Sequence, residues 1–266
     1  MKYKGNIYSW KEWIKLKKKG YTEVEKGVDF QKNGLKTLFG SPEKVRDFFD
    51  CGLNELTSLK GGPKEVKGHY SCTQNKLKTL EGAPKDSEGM FDCSNNNLTS
   101  LKGGPRKTNY SYYCDFNNLK TLEGAPKEVG QSFNCRNNYL KTLKGAPEIG
   151  MGYFSCSTNE LTTLKGAPEI IKGEFDCANN RLTSLKGAPK EVGGDFDCRY
   201  NNLKTLNGAP EKVGGEFKSD IVNTDDWEEY YLLHFKDGEW SEKEIPFEEM
   251  DKVKQTKLLA IRLGGK

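Results

Sequence analysis

Histidine is nearly missing from this chain of 266 residues: there are two, His69 and His234. Metal centres and acid–base catalysts draw on that residue more than on any other, so those classes lose ground at once. No C-x-x-C pair occurs, and no cysteine falls outside one regular series, which leaves no zinc-finger or redox motif. Glycine-rich phosphate loops are absent as well. No run of apolar residues is long enough to span a membrane, with hydrophobic residues at 34% and mean hydropathy at −0.80. The opening stretch MKYKGNIYSWKEWIKLKKKG lacks an apolar core of signal-peptide kind. The expected compartment is therefore the cytoplasm. Charge of one sign is not in excess either. Lys and Arg number 42 against 38 Asp and Glu, a net +4 too balanced to mark a nucleic-acid binder by itself.

What the chain does have is a period. Its eight cysteines, Cys51, Cys72, Cys93, Cys114, Cys135, Cys156, Cys177 and Cys198, lie 21 residues apart. An aromatic stands two before each (Phe49 to Phe196), an asparagine three after (Asn54 to Asn201), leucines at five and eight, glycine at ten and proline at twelve. A degenerate copy with Phe30 in the cysteine slot precedes them, giving nine repeats. Low hydropathy suits a stack of repeats with no single core. Side chains of a strand alternate, so the aromatic and the cysteine point inward while their neighbours point out. The asparagine is placed to bond backbone groups left open where the strand ends. Gly and Pro in G-x-P rule out a long helix on the return path. Neighbouring cysteines one strand spacing apart, about 4.8 Å, fall within disulfide reach. Parallel side chains in a reducing compartment nevertheless point to buried free thiols.

The pattern F-x-C-x-x-N-x-L-x-x-L-x-G-x-P resembles a leucine-rich repeat, from Val28 to Phe217. The resemblance implies a leucine-rich-repeat solenoid, with a parallel β-sheet on one face and little helix on the other. It departs from the family in its valine (Val45, Val66, Val129, Val192, Val213), one residue further upstream than the family places it. Ser87, Thr108 and Gly150 fill that slot in three copies, so looser coils are expected there. A helical N-terminal cap is expected over 1–27, repeats over 28–218, and a small mixed C-terminal unit over 219–266. The cap starts from a capping box at Ser9–Glu12, ends at Gly20, and has Trp10, Trp13, Ile14 and Leu16 as its apolar face. In the C-terminal unit, Leu232–Phe235 with Lys236-Asp237-Gly238 reads as a hairpin, and Pro246 with Glu248 and Glu249 as a helix start.

The outward columns carry whatever information remains. Three before each cysteine stand Phe48, His69, Met90, Ser111, Ser132, Tyr153, Glu174, Asp195 and Glu216. One before stand Asp29, Asp50, Ser71, Asp92, Tyr113, Asn134, Ser155, Asp176, Asp197 and Lys218. Eight of these are acidic and one is a lysine, although the chain is net positive. Phe116 and Tyr200 lie just past the strand. Aromatics beside carboxylates fit an interface with an anchor and a charged rim. The candidate partner-binding residues are Phe48, Asp50, His69, Met90, Asp92, Tyr113, Phe116, Tyr153, Glu174, Asp176, Asp195, Asp197 and Tyr200. Solubility and strand propensity would also put aspartates and tyrosines there. His69, Asp50 and Ser71 could form a surface triad, but a flat sheet supplies no oxyanion hole. No catalytic residue, cofactor or metal is expected. The expected function is recognition of a partner protein with a basic surface. Its resemblance to bacterial and phage repeat proteins implies blockade of a host or bacterial defence protein. Two other readings stay open: a scaffold presenting the C-terminal unit as effector or oligomerisation element, and nucleic-acid binding through turn lysines such as Lys60, Lys102, Lys144, Lys165 and Lys186.

Overall fold

The computed structural model describes residues 1–148 and 152–220, together with the backbone of Asn223–Thr224, Phe235–Lys236 and Glu239–Trp240. Those residues form a parallel-sheet solenoid of 21-residue coils. Its main sheet has eleven strands, of which the last, Asn223–Thr224, is antiparallel, leaving ten parallel ones from Val28–Asp29 to Phe217–Lys218. The count exceeds the nine repeats because Phe217 opens one more coil, with Ser219 in the cysteine slot. The single helix among the described residues spans Trp10–Lys18.

Each coil is held by ladders that the 21-residue period creates. Phe49, Tyr70, Phe91, Tyr112, Phe133, Phe154, Phe175, Phe196 and Phe217 are fully buried. Their ring centroids are 5.2–5.7 Å apart along the stack. All eight cysteines are buried and free. In seven of them the thiol donates to a carbonyl of the following coil, for example Cys93 Sγ to Tyr113 O at 3.3 Å. A small apolar group with a weak donor is what that slot accommodates.

The asparagine satisfies more backbone than any other side chain. Asn117 Nδ2 donates to the carbonyls of Cys93, Cys114 and Asp115, and its Oδ1 accepts from Leu98 N–H at 3.0 Å. The same four bonds recur from Asn54 to Asn201. At the start of the solenoid no preceding repeat supplies a leucine, and Asn33 Oδ1 takes the N–H of Trp10 instead, 3.0 Å away. At the other end, Asp220 Oδ2 accepts from the N–H groups of Tyr200 and Asn201, whose equivalents in earlier coils, such as Asn179 and Asn180, donate to backbone carbonyls of the following coil. The G-x-P turn is a four-residue turn closed by bonds such as Gly104 N–H to Leu101 O at 3.1 Å. Its third residue, Gly103 at φ 89°, needs the left-handed conformation that glycine adopts freely.

The return path is more ordered than the G-x-P motif suggests. Two-residue strands at Lys44–Val45, Glu65–Val66, Lys107–Thr108, Glu128–Val129, Ile170–Ile171, Glu191–Val192 and Lys212–Val213 form a second parallel ladder in three separate sheets. Ser87 and Thr108 are buried in the valine slot, with hydroxyls donating to Gly89 O and Tyr110 O. The ladder is reduced to a lone bridge at Ser87, whereas Thr108 lies in a two-residue strand like the valines and its coil keeps the ladder. Gly150 lies outside the described residues.

Residues 1–9 continue both ladders, a feature the helical expectation omits. Lys2–Tyr3 pairs with Glu23–Val24, and Ile7 bridges Val28. Ser9 Oγ accepts from Glu12 N–H at 3.2 Å, but Glu12 Oε2 reaches Tyr8 N–H and not Ser9 N–H. Trp13 is fully buried and Trp10 meets Phe30 edge-on at 5.1 Å, so the helix covers the first coil. Phe235–Lys236 pairs antiparallel with Glu239–Trp240. His234, Asp237, Gly238 and the helix start at Pro246 lie outside the described residues.

Candidate functional site

Pairing register lines up Asp29, Asp50, Ser71, Asp92, Tyr113, Asn134, Ser155, Asp176, Asp197 and Lys218 across the sheet. The carboxylates in this row also have a local task. Asp50 Oδ1 accepts from Gly52 N–H at 2.8 Å, Asp92 from Ser94 N–H at 3.0 Å and Asp176 from Ala178 N–H at 3.0 Å. Asn134 makes the equivalent bond to Arg136 N–H at 3.1 Å. The column therefore selects a short side chain with an acceptor oxygen, and charge comes in addition.

Charge is unevenly spent along the face. Burial raises the carboxyls of Asp50, Asp92 and Asp115 above the usual aspartate range, and the coulombic effect of Asp115 and Asp50 adds to the rise at Asp92. At the far end the acids have cations of their own. Asp197 holds Arg199 through Nε at 3.0 Å and a guanidinium nitrogen at 2.6 Å. Asp195 holds Lys218 at 2.6 Å, which keeps its carboxyl below the ordinary range, and Glu216 lies 3.2 Å from the same lysine. Among the candidates, Glu174 is exposed and Asp50, Asp92 and Asp176 are half-buried.

Tyr113 and Tyr153 are half-buried between these carboxylates, and burial pushes the Tyr153 phenol up. Phe116 and Tyr200 stand out, 45% and 63% exposed. Their backbones are left-handed, at φ 52° and 59°. Every coil has a non-glycine residue in that conformation two after the cysteine slot, from Lys32 to Tyr200. The ladder enforces it: Phe116 N–H donates to Arg136 O and its carbonyl accepts from Asn96 N–H. The Arg136 guanidinium sits 5.5 Å from the Phe116 ring and 3.9 Å from Asp115.

At the near end, His69 is exposed and engaged away from the triad the sequence suggested. Its Nδ1 accepts from Met90 N–H at 2.9 Å and its ring lies edge-on to Tyr110 at 6.1 Å. The hydroxyl of Ser71 turns instead to Asp50. Phe48 is half-buried with its ring laid over Gly27, where a β-carbon would collide with it. Tyr110, Tyr139, Asp115 and Arg136 were absent from the sequence-derived set. Tyr110 had a visible signal, because the same position is glycine at Gly68, Gly89, Gly152, Gly173 and Gly194.

Among the described residues, no group of three or more His, Cys, Asp and Glu converges as metal ligands would, and no helix is long and apolar enough to cross a membrane. No protein-family model matches this chain, and no curated protein matches it. Among solved structures it is similar to YopM from Yersinia enterocolitica WA-314, at 16% identity and a TM-score of 0.39. That alignment covers 77% of this chain, and the chain spans 60% of the YopM structure.

Proposed function

We propose that this chain is a non-enzymatic binding protein whose sheet face takes up another protein with a basic surface. The observation that carries the proposal is the placement of Phe116 and Tyr200. A left-handed backbone costs an ordinary residue roughly 1–2 kcal/mol, and asparagine less. Asn95, Asn137 and Asn179 occupy the same position in other coils. Phe116 and Tyr200 place large rings at this position, and both stay exposed, with only the Arg136 guanidinium beside Phe116. Buried by a partner, such rings act as anchors.

Tyr113 and Tyr153 extend the apolar strip between them, and Asp50, Asp92, Glu174 and Asp176 supply the surrounding negative charge. Such charge accelerates encounter with a cationic surface more than it tightens the complex. Phe48, His69 and Met90, with Tyr110, form a second apolar patch. Asp195 and Asp197, paired internally, contribute less. Ten strands at about 4.8 Å give a face roughly 43 Å long, adequate for a standard interface. Blockade of a host or bacterial defence protein in the cytoplasm, the role implied by the family resemblance, would be exerted through this face. In the same reading, residues 1–27 are the cap, 28–218 the binding repeats and 219–266 a terminal unit.

The test is affinity capture from bacterial lysate with wild type and two triple variants. A protein retained by wild type should be lost with Tyr113→Ala/Phe116→Ala/Tyr153→Ala and kept with Lys144→Ala/Lys165→Ala/Lys186→Ala. The reverse pattern, or equal retention, would move the site off the sheet.

A further inference from the structure

A second surface goes beyond the sheet face. The position directly after the G-x-P proline recurs from coil to coil, and at most steps its N–H bonds to the carbonyl of the residue before it in the column. Arg106 N–H to Lys85 O is 2.9 Å and Lys127 N–H to Arg106 O is 3.0 Å. This column reads Glu43, Lys64, Lys85, Arg106, Lys127, Glu148, Glu169, Lys190, Glu211. Four consecutive cations therefore share one line, all exposed. Like charges facing each other on neighbouring strands cost stability, and the fold does not need them, since glutamate fills the same slot further along.

The surrounding charges sharpen the contrast. Lys60 meets Glu81 at 3.0 Å, Lys102 meets Glu123 at 2.9 Å, and in the column itself Lys190 meets Glu169 at 3.4 Å. Lys64, Lys85, Arg106 and Lys127 make no ion pair with any described residue. They border two open hollows of about 670 and 600 Å³ that share Gly82, Ala83 and Lys85. Of the carboxylates on those walls, Glu65, Glu81 and Glu88 already belong to neighbouring lysines, and Asp86 alone does not.

We propose that the stripe Lys64, Lys85, Arg106 and Lys127 binds a short acidic polypeptide segment in extended form. Three steps of about 4.8 Å make it roughly 14 Å long, the span of four or five extended residues. Glu43 and Glu148 close it at both ends, which suits a short segment and repels a longer polyanion. No aromatic ring lines either hollow, so bases of a single-stranded nucleic acid would find nothing to stack on.

The probe is a fluorescein-labelled peptide of about ten residues alternating Asp and Ser, followed by anisotropy on the full chain at about 50 and 150 mM salt. Lys85→Glu/Arg106→Glu/Lys127→Glu should weaken binding by ~10-fold or more, because each contact turns from attractive to repulsive. Lys144→Glu/Lys165→Glu/Lys186→Glu removes the same charge from three lysines that line neither hollow and should leave affinity within about twofold. Circular dichroism checks that both variants fold, and a glutamine triple at the stripe should give an intermediate loss. Equal weakening by both reversals would show diffuse attraction and overturn the proposal. So would no binding at either salt, or tighter binding of a labelled oligonucleotide with a steep salt slope.

Discussion

The hydroxyl of Tyr112 occupies the space that Gly104 leaves open: a β-carbon built on Gly104 would lie 3.2 Å from Tyr112 Oη. Gly62 faces the Tyr70 hydroxyl more loosely, at the ordinary contact distance of 3.7 Å. Where the stacked aromatic is Phe91, Phe133, Phe154, Phe175, Phe196 or Phe217, the matching turn residue is Ala83, Ala125, Ala146, Ala167, Ala188 or Ala209. Tyrosine pairs with glycine and phenylalanine with alanine because the hydroxyl and the methyl compete for one volume.

That relationship predicts strong coupling. Gly104→Ala alone should destabilise by about 1 kcal/mol through overpacking. With Tyr112→Phe the alanine should cost less, the remaining crowding coming from Leu80 Cδ1, 2.8 Å from the added β-carbon. A double-mutant cycle by urea denaturation should show the two changes to be non-additive. Additive effects would mean that the two groups do not share space.

Asn117→Ala strips one amide from four backbone partners buried between coils. At about 1 kcal/mol per lost bond, and more where a group stays unsolvated, the cost should reach roughly 4 kcal/mol. Asn33→Ala should cost less, because the Asn33 side chain makes two hydrogen bonds beside the first helix. Denaturation midpoints of the two variants check the order.

The eight thiols should be silent to an aromatic disulfide reagent in the native protein and react together on unfolding. Burial raises every one of them above the ordinary thiol range, with Cys198, the last of the series, pushed up to about 12. Thiolate is the reactive form, so any slow native reaction should start at Cys198. Mass spectrometry of partially labelled protein would locate it, and early labelling of Cys114 would contradict the buried ladder.

Asp92→Asn should change the pH dependence of stability. The folded carboxyl is raised by burial, so the folded chain holds its proton more tightly than the unfolded one. The stabilisation this provides is present below the ordinary aspartate range and is lost as pH rises through the raised folded value. Asparagine keeps the acceptor, as Asn134 demonstrates, and does not titrate. Between pH 4 and 7 the variant should therefore lose less stability with rising pH than wild type, as thermal midpoints would show.

The sequence shows the coil and conceals part of its wiring. Cysteine, asparagine and leucine positions suffice to place the strand, the inward face and the turn, because each residue type serves one backbone need that recurs every 21 residues. The second ladder stayed hidden because Glu65–Val66 and its equivalents are two residues long and have no alternation to read. The left-handed position was masked by its occupants, from Leu53 to Thr158, since a ladder of bonds imposes the conformation and no glycine announces it. On the candidate face, the row of aspartates was legible, but its double role was not. The bond from Asp50 to Gly52 N–H and the grip of Asp195 on Lys218 depend on geometry between positions that the pattern leaves variable.

A parallel solenoid has no intrinsic length: whatever one coil offers the next, the next can offer in turn, and copies could add end to end as a fibre grows. Asn223–Thr224 breaks that recursion by running against Phe217–Lys218. At the other end the Val28 strand is already bridged by Ile7, so among the described residues neither end of the sheet offers a bare parallel strand for another molecule to continue. One reversed dipeptide thus gives a repetitive chain a defined terminus.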